Sequence, residues 1–361
     1  MAFALGEKTS PLQEIIMNYK LAFIGFGNVA QALVHLLERK RATLKNQYDI
    51  TFSVTGIATG KHGFAVNPNG LDIEKALSLV KSGQSVASLS ASPVNDSLSV
   101  IKQSKADVMF ENSPVNVATG QPAIDHVRAA LNANMHAITA NKGTVVHGYR
   151  ELTALAKSKN KKFYFESTVL GGTPVFSVFR EAMPAADLMS FKGIINATTN
   201  IILTRMENGE TFDQAVKYCQ SIGVAETDPS NDVDGWDAAI KVAALITVLM
   251  DTPFTPQEVN RTGIRGIMPE MIQSAKEKSQ RWKLVASAER NGNQIVARVA
   301  PELVPASSSL YGMDGATTGL EFRTDVMGDL AIIQSERPGM GAGPEETAYG
   351  LFADFINAVK G

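Results

Sequence analysis

KLAFIGFGNVAQALVHLLERKR, residues 20–41, is the stretch on which the fold turns. A short apolar strand runs into a helix through Gly25, Gly27 and Ala30, at the G-x-G-x-x-G/A spacing of a dinucleotide-binding turn. Gly25 permits the tight turn, Gly27 lets the backbone approach a pyrophosphate, and Ala30 is small enough for close helix–strand packing. The helix start, around Asn28 and Val29, then offers free N–H groups to the phosphates. Three small residues at this spacing recur by chance; their place between a strand and a helix, near the start of a domain, gives them weight.

Working outward, ITFSVTGIATG (50–60) reads as the second strand. Its end is where an NAD-binding fold sets an acidic residue against the ribose hydroxyls. Here the chain reads Ala58, Thr59, Gly60, Lys61 and His62, with a cation and no carboxylate. That favours a 2′-phosphate, hence NADP with NAD as the lesser option, and marks Thr59 and Lys61 as its ligands; the other reading of Lys61 is a solvated loop lysine. KADVMFENSPVN reads as a strand closing at Glu111, Asn112 and Ser113, and MHAITANKGTVV as one closing at Asn141 and Lys142. Ligands of doubly wound sheets lie beyond the C-terminal strand ends, so Ser113 and Lys142 are placed toward the site. An exposed loop lysine is the alternative for Lys142. YRELTALAKSK follows as a helix and KKFYFES as a further strand.

GVAETDPSNDVDGWDAAIKVAALITVLM (223–250) carries the second signal. Its first half is an acidic loop with Glu226, Asp228, Asp232, Asp234 and Asp237. Its second half is a helix apolar all round, which is the pattern of a buried helix, and too short for a bilayer. It holds one charge, Lys241. An ammonium in a core costs several kcal/mol unless paired, and Asp237, four residues earlier, lies on the same helical face. The bland reading is an exposed Asp–Lys pair; the flanking Ala239, Ile240, Val242 and Ala243 speak against an exposed face. A lysine so placed, fed by carboxylates, reads as a proton-transfer group.

The remainder sets limits. The 361 residues suffice for two domains. With 44% hydrophobic and 19% charged residues and a net charge of −2, nothing points to nucleic acid or membrane partners. Cys219 is the only cysteine, so no intrachain disulfide or cysteine-based metal cluster can form, and a cytoplasmic setting is expected. Residues 1–16 lack the apolar core of a signal peptide and read as a disordered or dispensable extension. The domains are expected at 17–165 for the dinucleotide, 166–330 for substrate, catalysis and dimerisation, and 331–361 as a loop and helix returning to the first. VLGGTPVFSVFREAM makes a turn into a helix, and LMSFKGIINATTNIILTRMENG a strand, a polar turn and a helix starting near Thr198 or Thr199. TFDQAVKYCQSIG is a helix capped by Thr211. RWKLVASAER and QIVARVAPEL are strands joined at Asn291-Gly292-Asn293, a hairpin signal. The C-terminal RPGMGAGPEETAYGLFADFINAV is a glycine-rich loop, which either closes over the cofactor through Gly341 or is a plain helix start, and a helix burying Tyr349, Leu351, Phe352, Phe355, Ile356 and Val359.

GFGNVA, TANK, ESTVLGGTPV, GIINATTNIILTRM, GVAETDPSNDVDGWDAAIK and GMGAGPEETA stand in this order, and with them the chain resembles homoserine dehydrogenase in the short form without a regulatory domain. The acidic block is highly specific; the dinucleotide turn is not. The resemblance implies a Rossmann-type doubly wound parallel sheet with a second mixed α/β substrate and dimerisation domain. It implies an oxidoreductase interconverting L-aspartate 4-semialdehyde and L-homoserine, a step of threonine, methionine and isoleucine biosynthesis, in a homodimer. By the same resemblance Lys241, Asp237 and Lys142 are catalytic, and Glu226, Asp232 and Thr198 bind substrate. Backbone carbonyls of Glu166, Val169, Gly171 and Thr173 are implied to hold a monovalent cation, sodium or potassium. Ala30 and Ala197 stand where the family usually has glycine. An aspartate-semialdehyde dehydrogenase would need a cysteine nucleophile with a base beside it, which helical Cys219 lacks. The rival from another class is a catalytically silent NADP-binding regulator of the same fold.

Overall fold

The computed structural model describes residues 16–335 and 343–361. Its first six-stranded sheet takes β1 (Met17–Ile24), β2 (Ile50–Ala58), β3 (Phe64–Val66), β4 (Val108–Glu111), β5 (His136–Thr139) and β6 (Phe163–Tyr164), ordered β3-β2-β1-β4-β5-β6. β1 pairs in parallel with β2 and β4, and the parallel ladder continues through β5 to β6. β3 is a short antiparallel edge on β2. This is the expected doubly wound sheet, with its winding reversed between β1 and β4. Its helices are α1 (Asn28–Arg39), α2 (Arg41–Tyr48), α3 (Ile73–Lys81), α4 (Ser97–Ser104), α5 (Ala123–Asn132) and α6 (Lys142–Ser158).

The second sheet takes β7 (Leu188–Ile194), β8 (Asn260–Arg261), β9 (Gln280–Asn291), β10 (Gln294–Pro305), β11 (Thr318–Thr324) and β12 (Leu330–Gln334), ordered β12-β11-β7-β9-β10-β8. All its pairs are antiparallel except β10–β8. β9 and β10 turn at Gly292, whose φ of +61° is open to glycine without the Cβ penalty. Its helices are α7 (Ala197–Glu207), α8 (Phe212–Ser221), α9 (Ser230–Val233), α10 (Trp236–Leu249) and α11 (Pro269–Glu277), followed by α12 (Pro344–Lys360). Thr211 caps α8 as its sequence predicts, in a reciprocal box with Gln214.

Several local readings are corrected. The strand expected to close at Asn141 and Lys142 ends at Thr139, and the helix expected from Tyr149 begins at Lys142, because the Asn141 side chain accepts the Gly143 N–H and starts α6 there. KKFYFES yields only the two-residue β6 before a 3-10 turn at Glu166–Thr168. After Pro174 the helical segment closes in a π-type turn at Val178–Ala182. On α12, Tyr349 is 55% exposed, and the buried face is Ala348, Leu351, Phe352, Phe355 and Ala358.

Two cores hold these layers. On one face of the first sheet, Leu21, Phe23, Phe110 and Ile138 pack with α1 and with Leu351 and Phe355 of α12. The opposite face, with Ala22, Ile24, Met109 and Ala137, belongs to a core that continues into the second domain through Ala239, Val242 and Leu245 of α10. α6 and α10 pack directly together, so the first domain's strand ends meet the second domain's buried helix. Among the described residues no helix is long and apolar enough to cross a membrane.

Candidate functional site

The dinucleotide turn has the geometry its sequence asks for. Gly25 has φ +88°, and a Cβ there would come 2.4 Å from the carbonyl carbon and oxygen of Asn112, so glycine is needed for both conformation and approach. A Cβ on Gly27 would meet open space. Gly27 is also the N-cap of α1, with no side chain among the described residues capping the helix and no acidic residue in its first turn. Uncapped N–H groups at a helix start, beside a surface open to solvent, fit a dinucleotide's phosphates. Ala30 is fully buried. Beside this turn, Glu111 is buried and accepts from the Ser113 hydroxyl and His126, while its Oε2 and both polar atoms of the Asn112 side chain have no partner among the described residues. At the end of β2, Thr59 is buried and its hydroxyl accepts the His62 N–H at 2.6 Å, whereas Lys61 is exposed.

The reactive groups gather beyond α1. A cleft of about 400 Å³ is lined by Asn28 and Val29 on one side and by Asn196, Thr198, Asp232, Asp237 and Lys241 on the other. The Lys241 ammonium donates to Asp237 Oδ2 and to the Ile195 carbonyl, both at 2.8 Å. Lys142 reaches Asp237 Oδ1 at 3.4 Å from the first turn of α6. A cation at a helix N-terminus stands against the helix dipole, which the Asp237 carboxylate offsets. Asp237 thus sits between two ammonium groups supplied by two domains. Burial pushes its carboxyl up, but Lys241 and Lys142 more than reverse this and hold it well below the usual carboxylate range. Asp232 is raised instead, by burial and by the charge of Asp237, against the hydrogen bonds of Asn196 and Thr198.

Asn196 was not singled out in the sequence, and it organises the site. Its amide donates to Asp232 at 2.6 Å and to Asp237 at 2.9 Å, while its Oδ1 accepts the Thr199 N–H at 2.8 Å and so caps α7. The signal was present: an asparagine three residues before a helical threonine marks a helix start. That cap places the first helical residue at Ala197, one position ahead of the expected start.

Other residues lie elsewhere. Glu226 is exposed on the loop before α9 and does not line the cleft, although Gly223 and Val224 of that loop do. Gly341 lies outside the described residues, as do residues 1–15. In the segment after β6, the Glu166 carboxylate accepts the N–H groups of Val175, Phe176 and Ser177, and its own N–H goes to buried Asp354 of α12 at 2.8 Å. Burial and the charge of Glu166 push Asp354 up to about 8. Val169 is buried, Gly171 has φ +56° and the Thr173 hydroxyl bonds Gln334. Cys219 is buried, with its thiol pushed up to about 11 by burial, which suits packing and not nucleophilic attack.

Comparison with known proteins places this geometry. The model of the homoserine dehydrogenase NAD-binding domain matches residues 25–166, and the homoserine dehydrogenase model matches residues 174–356. The NAD(+)-dependent homoserine dehydrogenase of Pseudomonas canavaninivorans is 35% identical over 342 residues, covering 94% of this chain and 96% of its own. A putative homoserine dehydrogenase from Archaeoglobus fulgidus superposes with a TM-score of 0.82 at 30% identity, over 94% of this chain and 98% of that one. A hyperthermophilic archaeal homoserine dehydrogenase mutant in complex with NADPH gives 0.78 at 27% identity, over 95% and 98%. The chain belongs to the homoserine dehydrogenase family.

Proposed function

We propose that the cleft interconverts L-aspartate 4-semialdehyde and L-homoserine, with Lys241 as the group that moves the proton. The observation that carries this is the pair of ammonium groups, Lys241 and Lys142, converging on Asp237, which with Lys241 lines a cleft bounded by the dinucleotide helix. Bound NAD(P)H supplies the hydride. As charge builds on the aldehyde oxygen, the Lys241 ammonium stabilises and then protonates it; in the reverse direction the amine accepts the hydroxyl proton. Asp237 orients Lys241 and keeps the two cations at working distance. Lys142, on the helix that follows β5, stands between the two ligands' places and assists either. Asp232 and Thr198 serve the substrate, whose ammonium needs a carboxylate. Glu226 is the further carboxylate for that amine, carried on the loop whose Gly223 and Val224 already line the cleft. The silent-regulator reading has no observation in its favour.

NADP is proposed as the preferred cofactor, held by Gly25, Gly27, Asn28, Val29, Ala30, Ser113 and Lys142 along the dinucleotide, with Thr59 and Lys61 at the 2′-phosphate. The support is the absence of a carboxylate at the end of β2 and the exposed Lys61. NAD is favoured by one observation, the name of the relative from Pseudomonas canavaninivorans. A monovalent cation on the carbonyls of Glu166, Val169, Gly171 and Thr173 would brace the join between the domains without entering the reaction. A homodimer in the cytoplasm completes the proposal, supported by Val296 on β10 and by Val326 and Met327 in the turn between β11 and β12, all more than half exposed.

Steady-state oxidation of L-homoserine with each dinucleotide tests the reading. Turnover with kcat/KM higher for NADP is expected, and Lys61→Ala should narrow the ratio about tenfold, or ~1.4 kcal/mol. Protein that binds a dinucleotide and turns over neither homoserine nor aspartate semialdehyde sinks the enzyme reading; a wild-type preference for NAD sinks the cofactor assignment.

A further inference from the structure

Lys283 is a fully buried lysine on β9, 42 residues along the chain from Lys241, and the reaction proposed above makes no use of it. Its ammonium donates to the Met313 carbonyl at 2.6 Å and to Asn200 Oδ1 at 3.0 Å. The other end of the Asn200 amide faces three carbonyls of the same loop, those of Met313, Gly315 and Thr317, at 3.1, 3.0 and 3.0 Å. Two N–H groups serve three acceptors, so at least one is shared, and the loop backbone is drawn around a single side chain. Asn200 sits on α7 with Thr204 and Glu207 at spacings of four and three, which is one helical face. Thr204 accepts the Gly315 N–H at 3.2 Å, and Glu207 pairs with Arg281, which donates to the Tyr311 carbonyl at 3.0 Å. The whole face is therefore given to holding residues 311–317. The end of this stretch enters the cleft: Ala316 and, just beyond it, Thr318 line it together with Asp232, Asp237 and Lys241.

We propose that Asn200 and Lys283 are positioning residues that fix the loop 313–317 on α7, so that Ala316 and Thr318 form one wall of the substrate end of the cleft. A loop needing only anchorage has a cheaper solution alongside it, since Val285, Leu310 and Met313 make a small apolar core under the same loop. A buried ammonium carries a desolvation cost that an apolar side chain of similar volume does not. Burial, then the charge of Arg281, pushes Lys283 down to about 8, against Glu207 and Asp314, so the ammonium is held at a disadvantage. What the polar arrangement adds is direction: it sets three carbonyls, and hence the path of the backbone between them. Because α7 also carries Asn196, Ala197 and Thr198 at its start, one rigid helix registers this wall against the carboxylates.

The inference rests on the homoserine reading of the cleft. Lys283→Met and the milder Thr204→Val, each with its melting temperature recorded, test it through KM and kcat for homoserine and the Kd for NADPH. We expect the homoserine KM to rise about fivefold or more in Lys283→Met and about twofold in Thr204→Val, kcat to fall less than KM rises, and the NADPH Kd to stay within about twofold. If Lys283→Met does not fold, Thr204→Val decides alone. Unchanged KM in folded variants overturns the inference, and so does a parallel loss of NADPH and homoserine affinity, which marks general loosening. Wild-type protein inert toward homoserine overturns the functional reading, and this inference with it; active wild type with unaffected variants overturns this inference alone.

Discussion

Replacing Asn196 separates helix capping from carboxylate bridging. Asn196→Ala removes the N-cap hydrogen bond to Thr199, at 2.8 Å, worth ~1 kcal/mol. It also removes donors to Asp232 and Asp237, at 2.6 and 2.9 Å. Hydrogen bonds to charged groups contribute ~1.5–3 kcal/mol each, and the lower figure applies because water in the cleft replaces part of the loss. The total is about 4 kcal/mol of stability. Asn196→Ser keeps a competent cap and loses the bridge, so it should cost about 3 kcal/mol. Activity should behave differently: with no amide between them the two carboxylates repel, Asp237 turns from Lys241, and both variants should lose kcat/KM by roughly 10- to 100-fold, ~1.4–2.7 kcal/mol in the barrier. Urea midpoints and steady-state rates on the same samples decide it. If serine restores wild-type activity, the role of Asn196 is only to start α7; if alanine stays within about twofold of wild type, the bridge is irrelevant to the reaction.

Lys241→Ala should lower kcat by roughly 10²–10⁴ while the NADPH Kd moves by less than about twofold, and a smaller loss places proton transfer elsewhere. Gly25→Ala puts a Cβ 2.4 Å from the Asn112 carbonyl at φ +88°; NADPH fluorescence titration should show at least about tenfold weaker binding, and unchanged affinity would refute the close approach. Asp232 has its folded pKa raised by burial and by Asp237, so its stabilising share is full below the unfolded value and is lost as pH climbs through the raised one. Asp232→Asn should therefore melt above wild type near neutrality, the gap closing below about pH 4, while the homoserine KM rises; a lower melting temperature at neutral pH contradicts the assignment.

Legibility in the sequence followed the range of the forces involved. The turn at Gly25, the hairpin at Gly292 and the cap at Thr211 are local, so spacing and residue type disclosed them. The Lys241–Asp237 pair was legible for the same reason, both partners lying one turn apart on one helix. The start of α6 was placed late, at Tyr149, since packing against α5 and α10, together with the cap at Asn141, carries the helix back to Lys142. The Lys142–Asp237 contact joins residues from two domains, and the Lys283–Asn200 contact joins a strand to a helix far upstream. No periodicity records such pairs. The acidic loop shows the converse limit, since it announces its carboxylates without saying that Asp232 lines the cleft while Glu226 stands exposed on the loop beside it.

The return of α12 to the first sheet has a consequence for how the protein is made. Leu351, Phe352 and Phe355 belong to the same core as Leu21 and Phe23, yet the ribosome emits them roughly 16–67 s later at ~5–20 residues per second. During that interval a nascent chain carries β1, α1 and their neighbours with an apolar groove uncovered, while the entire second sheet is synthesised. Burying each of those three side chains contributes ~1.5–3 kcal/mol, so the nucleotide-binding half gains its full cooperativity only after the substrate half exists. A ribosome stalled between β7 and β12 would therefore display an exposed hydrophobic surface, and chaperone occupancy should peak over that window of translation and fall as α12 emerges.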